Sequence, residues 1–202
     1  FYDNFKVAKL TFDQIEDYTS LDLKKIIFEG KDNLINITKY TQICIFTASV
    51  AIYKTYESEK NIDLSNINIM LGHSLGEYTA LACSNKLSLK DCSLILKKRG
   101  ELMNDSVAPN KSGMAALIGC DAETVNEIIK DNKMSLQIAN DNSPIQVVIS
   151  GNNDEIDRNK DIFLNNNIKK FIKLNVSAAF HSNLMFDAQK QLNLEIDKLN
   201  FN

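Results

Sequence analysis

Arginine and histidine are scarce in this sequence of 202 residues. Of its 23 basic residues only Arg99 and Arg158 are arginine, and its only 2 histidines are His73 and His181. The formal net charge is -3, so the chain lacks the basic field that attracts nucleic acid or an acidic membrane surface. We therefore expect no nucleic-acid partner and no membrane partner.

Paired cysteines and long apolar runs are also lacking. None of the 4 cysteines belongs to a CxxC pair or has a histidine at metal-ligand spacing, and each lies in an apolar run. Free cysteine in such a setting behaves as a small hydrophobe, so we expect a reducing compartment and no metal. No apolar run approaches the roughly 18–20 residues that span a bilayer, and no signal peptide is recognisable.

What is present is the composition of a globular protein, with 44% hydrophobic and 24% charged residues. A chain of this length can form one domain, or one domain with a smaller insert. Lysine, asparagine and isoleucine are abundant, as AT-rich codon usage would produce. An arginine at a motif position is informative against that lysine bias, because lysine cannot replace its planar fork.

The first 112 residues are predicted to form helices around one strand. Residues 41–56 are apolar nearly all round and predict a buried helix. A polar loop over 57–66 is followed by a short apolar strand over 67–71. Helix formers return over 77–84, and Ser88-Leu89-Lys90-Asp91 resembles a capping box for a helix that runs to about Asp105.

Strands and helices alternate over residues 113–176. We predict strands at 114–119, 135–139, 146–150 and 169–176, with helices at 122–131 and 154–166. This β-α-β-β-α-β order is typical of the ferredoxin-like unit. We interpret it as an insert over 113–176, after which the chain returns to a larger α/β body formed by 1–112 and 177–202.

Gly72-His73-Ser74-Leu75-Gly76 matches the pattern G-x-S-x-G. In this motif the serine lies on a tight turn between a strand and a helix, and its neighbours must be small for the backbone to fold back. The helix dipole then favours negative charge at the reacting carbon. We predict Ser74 as a nucleophile and the backbone N–H of Leu75 as the oxyanion donor. A structural Gly-Ser turn is the alternative.

A serine nucleophile needs a base, and 2 histidines are available. His73 is adjacent to Ser74, and neighbouring side chains on such a turn point in different directions, so we expect His73 to pack or to contact substrate. His181 follows the last predicted strand, where the chain returns to the body. We predict His181 as the general base, and a loop histidine without a catalytic role is the alternative.

Arg99 lies in Lys97-Lys98-Arg99-Gly100-Glu101, on the second predicted helix after the serine motif. A run of charges is usually a solvated face. The scarcity of arginine favours a specific role instead, as the partner of a carboxylate carried by an acyl substrate.

With these motifs the sequence resembles the malonyl-CoA:acyl carrier protein transacylases, the acyltransferases of type II fatty acid synthesis. The letters GHSLGEY from Gly72 to Tyr78 match the family's nucleophile motif, and Arg99-Gly100 with Met103 matches its carboxylate-binding helix. Further matching blocks, in the family's order, are Thr41-Gln42, Thr47-Ala48-Ser49-Val50-Ala51, Gly113-Met114-Ala115-Ala116, Asn140-Asp141-Asn142-Ser143-Pro144, Gln146-Val147-Val148-Ile149-Ser150-Gly151 and Val176-Ser177 with His181.

The resemblance implies a ping-pong transfer of a malonyl group from malonyl-CoA to the phosphopantetheine thiol of an acyl carrier protein. Ser74, activated by His181, would hold the malonyl ester, and Arg99 would bind its free carboxylate. The tetrapeptide Ala178-Ala179-Phe180-His181 resembles the one found in malonyl-selective relatives, with Phe180 opposing an α-methyl branch. No cofactor is implied, since both thioesters are substrates. The implied fold is a parallel-sheet, patatin-like hydrolase body, and the implied state is a monomer.

The departures from the family are at the two ends. The family's N-terminal Gly-Gln-Gly-Ser-Gln loop has no counterpart here, and family members continue well beyond the position of Asn202. We therefore expect the sequence to be a fragment, or its activity to be compromised. An Asn/Lys/Ile-rich chain that begins at Phe1 fits either a plastid stromal enzyme without its transit peptide or a bacterial cytosolic enzyme.

Three other functions stay open at this point. A serine esterase or lipase-like hydrolase would use the same turn with water as acceptor, although it would not need Arg99. An acyltransferase domain of a larger synthase would select another extender unit. A non-catalytic binding module would keep the fold without turnover.

Overall fold

The computed structural model describes residues 1–60, 67–106, 108 and 111–202. The chain divides into two compact units. The first unit comprises Phe1–Glu101 and Leu192–Asn202, and the second comprises Leu102–Gln191.

The described part of the first unit is helical. It contains α1 (Lys6–Thr19), α2 (Leu23–Phe28), α3 (Thr38–Lys60), α4 (Gly76–Cys83) and most of α5 (Leu89–Asp105), with short 3-10 helices at Tyr2–Asn4 and Lys31–Asn36. The last residues of α8 (Phe186–Ile196) also belong to it. At the start of α5, the Asp91 N–H donates to Ser88 Oγ at 3.0 Å, as the predicted capping box requires.

Helix α3 lies at the centre of this unit, where Ile43 and Phe46 are fully buried. The helix is longer than predicted, and it reaches into the predicted loop at 57–66, of which residues 61–66 lie outside the described part of the chain. The predicted burial holds for one face of the helix only. Ile45, Ile52 and Tyr56 are exposed on its opposite face, because α1, α2 and α4 cover only one side.

The predicted strand over 67–71 was wrong. The segment pairs with no strand among the described residues, and Ile69 and Leu71 are 75% and 85% exposed. A strand is defined by hydrogen bonds to a neighbouring strand, and no described residue of the first unit supplies one. The predicted parallel sheet of the body therefore has no counterpart among the described residues, whose one sheet belongs to the second unit.

The second unit has the predicted β-α-β-β-α-β order. Its elements are β1 (Ser112–Ile118), α6 (Ala122–Asp131), β2 (Gln137–Ser143), β3 (Gln146–Asn152), α7 (Asn153–Asn165) and β4 (Lys170–Lys173), followed by a 3-10 helix at Asn183–Met185 and the first part of α8. The sheet is antiparallel, with the strand order β2-β3-β1-β4.

Both faces of the two central strands of this sheet, β1 and β3, are covered. On β1, Ala115 and Leu117 point to the core shared with α6 and α7, whereas Met114 and Ala116 point to the opposite face. Successive side chains of a strand point to opposite sides, so a strand buried on both sides is apolar without interruption. The opposite face packs against residues 174–180, including Phe180.

Two boundaries in this unit differ from the prediction by three residues or more. Strand β2 continues to Ser143, through the predicted loop at 140–144, because its backbone pairs with β3 as far as Ser143 opposite Gln146. Strand β4 ends at Lys173, three residues before the predicted end at Val176, because its pairing with β1 stops at Lys173 opposite Ala115.

Candidate functional site

The serine motif forms a sharp turn that leads into α4. Ser74 has a φ of 52°, in the left-handed region that is uncommon for residues other than glycine. The turn is closed by backbone hydrogen bonds from the Gly76 N–H to His73 O (2.8 Å) and from the Glu77 N–H to Ser74 O (3.3 Å). A strained conformation at a residue held by its neighbours is a feature of functional sites.

The two glycines of the motif have different surroundings. A Cβ atom at Gly72 would lie 2.0 Å from the carbonyl carbon and oxygen of Gly76, which only the absence of a side chain permits. A Cβ atom at Gly76 would meet nothing within 4 Å. Steric crowding therefore explains why position 72 must be glycine for the backbone to fold back. It does not explain the glycine at position 76.

Arg99 reaches the serine from α5. Its Nη2 donates a hydrogen bond to Ser74 Oγ at 3.0 Å. Its Nη1 donates to Gln42 Oε1 on α3, and its guanidinium carbon lies 5.8 Å from the centre of the Tyr78 ring. The sequence-predicted nucleophile and carboxylate partner are thus brought together, 25 residues apart in the chain.

Burial decides what this guanidinium can bind. Arg99 is 9% exposed, and no carboxylate among the described residues forms an ion pair with it. Burial lowers the pKa of the guanidinium, an effect that Tyr78 and Glu77 partly oppose, but arginine stays charged at neutral pH. A buried positive charge without a fixed counter-ion favours a ligand that carries an anionic group.

An open cleft of about 740 Å³ adjoins the turn within the first unit. Its lining includes His73, Leu75 and Gly76 of the turn and the apolar residues Ile67, Ile69, Met70 and Leu71. Among the described residues, the Leu75 backbone N–H takes part in no backbone hydrogen bond, as an oxyanion donor requires.

His181 and Phe180 belong to the second unit, on the loop after β4. This loop is fixed to the sheet, because Ser150 Oγ donates to the Phe180 carbonyl (2.8 Å) and the Ala179 N–H donates to Ser112 Oγ (3.0 Å). His181 is exposed and has a φ of 55°. Its pairing with Ser74 stays a prediction.

Gln42 is the residue near Arg99 to which sequence analysis assigned no role. It is 4% exposed, and it donates from Nε2 to Thr38 Oγ1 at 3.0 Å. A glutamine beside the apolar residues of this helix was the available signal, because a buried amide needs a partner.

The cysteines are free and have no sign of activation. Burial raises the pKa of Cys44 and Cys92 to about 12 and that of Cys83 to about 11, so these thiols stay protonated at neutral pH. Within the part of the chain that the structure describes, no three His, Cys, Asp or Glu residues form a metal-binding group. None of the described helices is long and apolar enough to cross a membrane.

Comparison with curated proteins finds malonyl CoA-acyl carrier protein transacylases. The chain is 34% identical over 199 residues to that of Bacillus subtilis, covering 97% of this chain and 62% of the relative. It is 37% identical over 171 residues to the polyketide biosynthesis protein ThaF of Burkholderia thailandensis, covering 84% of this chain and 14% of the relative. The chain thus spans less than two thirds of the length of these relatives.

Solved structures give the same result. The malonyl CoA-acyl carrier protein transacylase of Coxiella burnetii is 30% identical, with a TM-score of 0.91 over 98% of this chain and 62% of its own. A malonyl-transacylase in complex with its type II polyketide synthase acyl-carrier protein is 31% identical, with a TM-score of 0.92 over 100% of this chain and 65% of its own. The mixed α/β fold is therefore shared with these enzymes. The family model of the acyl transferase domain matches residues 6–202, so the resemblance predicted from the sequence is confirmed and the chain belongs to the acyl transferase domain family.

Proposed function

We propose that this chain is the part of a malonyl-CoA:acyl carrier protein transacylase that carries its acyl-serine chemistry. The observation that carries the proposal is the hydrogen bond from the buried Arg99 guanidinium to Ser74 Oγ. A cation this close to the nucleophile can reach a carboxylate only on a short acyl group bound to the same serine. Malonyl, with its carboxylate one methylene from the thioester carbonyl, meets that requirement, and the named relatives support it.

In the first half of the reaction, Ser74 Oγ attacks the thioester carbon of malonyl-CoA while its proton passes to His181. The Leu75 N–H donates to the developing oxyanion. The C–S bond then breaks, CoA leaves as a thiol with the proton from His181, and a malonyl ester remains on Ser74. Arg99 holds the free carboxylate throughout.

In the second half, the phosphopantetheine thiol of an acyl carrier protein attacks the ester carbon and gives its proton to His181. The C–O bond breaks, and Ser74 recovers its hydroxyl proton from His181. No cofactor takes part, since both thioesters are substrates. We assign His73 and Phe180 to substrate contact, with Phe180 opposing branched acyl groups, and the solved carrier-protein complex of a relative supports this acceptor.

The wider assignments are also proposals. We infer a hydrolase-like, patatin-like body from residues 1–112 and 177–202, and a ferredoxin-like insert over 113–176. The strand order β2-β3-β1-β4 supports the insert. We further propose a monomer in a bacterial cytosol or a plastid-type stroma, with no nucleic-acid or membrane partner.

Intact-protein mass after brief exposure to malonyl-CoA tests the central proposal. We expect a malonyl-sized gain on the wild type, none on Ser74→Ala and a much smaller fraction on Arg99→Ala. Arg158→Ala is the matched control, because Arg158 is the other arginine and is exposed on α7. A folded wild type that gains no mass would contradict the proposal.

The fate of the adduct separates the competing functions. Release by water alone would indicate a serine esterase, whereas release only by a pantetheine thiol indicates a transferase. Loading by a branched extender in preference to malonyl would indicate a synthase-type acyltransferase domain, a reading that the similarity to ThaF keeps open. A folded protein that forms no adduct would indicate a non-catalytic module.

A further inference from the structure

A buried chain of hydrogen bonds runs from α3 to the nucleophile. Thr38 Oγ1 accepts from Gln42 Nε2, Gln42 Oε1 accepts from Arg99 Nη1, and Arg99 Nη2 donates to Ser74 Oγ. Thr38, Gln42 and Arg99 are all buried. The proposed reaction assigns no role to Gln42.

The guanidinium determines which groups donate and which accept in this series of hydrogen bonds. Arginine has donors and no acceptor, so the amide of Gln42 must present its oxygen to Arg99. The NH2 group of the amide is then left to donate to Thr38. Gln42 thereby fixes one edge of the guanidinium, and the other edge faces Ser74.

The packing of the helices reinforces this contact. A Cβ atom at Gly100 would lie 2.9 Å from the Lys39 carbonyl oxygen, so α5 approaches the first turn of α3 as closely as a glycine permits. Arg99 precedes this glycine, and Gln42 lies one turn after Lys39. The close approach therefore brings the guanidinium and the amide together.

We propose that Gln42 is a positioning residue that sets the selectivity for anionic acyl groups, an inference that rests on the proposed function. Its neutral amide orients Arg99 without cancelling its charge. A carboxylate at this position would orient the guanidinium equally well, but it would form an ion pair and compete with the carboxylate of the acyl group. A glutamine meets both requirements, orientation and residual positive charge.

Gln42→Glu is the decisive variant, because it changes charge at almost constant shape. We measure acyl-enzyme formation from malonyl-CoA and from acetyl-CoA, and compare the ratio of the two values of kcat/KM. We expect this ratio to fall by roughly tenfold or more, mainly through a higher KM for malonyl-CoA. Gln42→Met, which removes the acceptor, should lower the ratio less.

Thr47→Val is the matched control. Thr47 is fully buried on the same helix and donates to the Ile43 carbonyl at 2.7 Å, away from Arg99. Its substitution removes a buried hydrogen bond of α3, so a merely structural effect would lower loading by both donors alike. An equal loss for both donors in Gln42→Glu would overturn the proposed role.

Thermal stabilisation by free malonate gives a readout that needs no turnover. We expect malonate to raise the Tm of the wild type and of Thr47→Val, and to have a much smaller effect on Gln42→Glu. If the wild type loads malonyl and Gln42→Glu keeps both the wild-type ratio and the malonate response, only the proposed role of Gln42 is refuted. A wild type that neither loads malonyl nor responds to malonate refutes the proposed function and this inference together.

Discussion

At the scale of single residues, the serine turn depends on one glycine more than on the other. The pattern G-x-S-x-G gives both glycines the same weight, but only at Gly72 would a side chain collide with backbone. Ser74 itself carries the cost of a positive φ, of order 1 kcal/mol, which the surrounding hydrogen bonds must offset. The turn is therefore sensitive to any change that displaces Gly72.

We predict opposite effects for alanine at the two glycines. Gly72→Ala should lower the free energy of unfolding by about 1–3 kcal/mol or more and abolish acylation of Ser74, because the backbone around Gly76 must shift. Gly76→Ala, on the first turn of α4, should leave the stability equal or raise it by up to about 1 kcal/mol. Urea unfolding of both variants checks this, and equal losses would contradict the crowding argument.

Part of the site could be predicted residue by residue. Ser74, Leu75 and Arg99 stand out from a motif and from the scarcity of arginine, and the structure places Ser74 and Arg99 in contact. Gln42 could not be given a role in this way, because its importance lies in a contact across 57 residues of chain. Amide side chains are ordinary in sequence, and only burial beside a cation makes this one specific.

At the scale of elements, the crossing of α3 and α5 positions the guanidinium. Gly100 is the contact point, and its missing side chain lets α5 lie against the Lys39 backbone. A larger residue there would move the helix that carries Arg99. The candidate site thus depends on a packing contact between residues that have no role in the proposed reaction.

We expect Gly100→Ala to lower the free energy of unfolding by about 1–3 kcal/mol and to lower malonyl loading more than acetyl loading, because α5 must move away from Lys39. Lys98→Ala is the control, since Lys98 is exposed on the same helix. Denaturation and acyl-enzyme mass measure the two effects. Unchanged loading in a destabilised Gly100→Ala would show that the crossing does not position Arg99.

Elements were predicted correctly where local sequence determines them, and incorrectly where they depend on a partner elsewhere in the chain. Helix α6 was predicted at its observed bounds, because its apolar residues repeat at helical spacing and Asp121 caps it. The prediction of a strand at 67–71 failed because a strand needs a hydrogen-bonded neighbour, which an apolar run does not supply and no described residue supplies there. Local patterns cannot report a pairing partner.

At the scale of the whole molecule, the buried thiols link stability to alkaline pH. Cys44 and Cys92 lie in the core of the first unit, and burial raises the pKa of each from 9.0 to about 12. Between these values the folded protein keeps protons that the unfolded chain has lost. The folded state then binds more protons, so the free energy of unfolding falls as the pH rises.

This linkage gives a prediction that is independent of catalysis. The contribution of the two thiols is complete below pH 9 and is lost progressively towards pH 12, by at most about 1.4 kcal/mol per pH unit for each thiol. Urea unfolding between pH 8 and 10.5 should show a steeper decline in the wild type than in the double variant Cys44→Ala, Cys92→Ala. Val50→Ala is the control, because it removes buried apolar volume from the same core and should lower stability while keeping the wild-type slope. An identical slope in the double variant would mean that other groups, and not these thiols, set the alkaline limit.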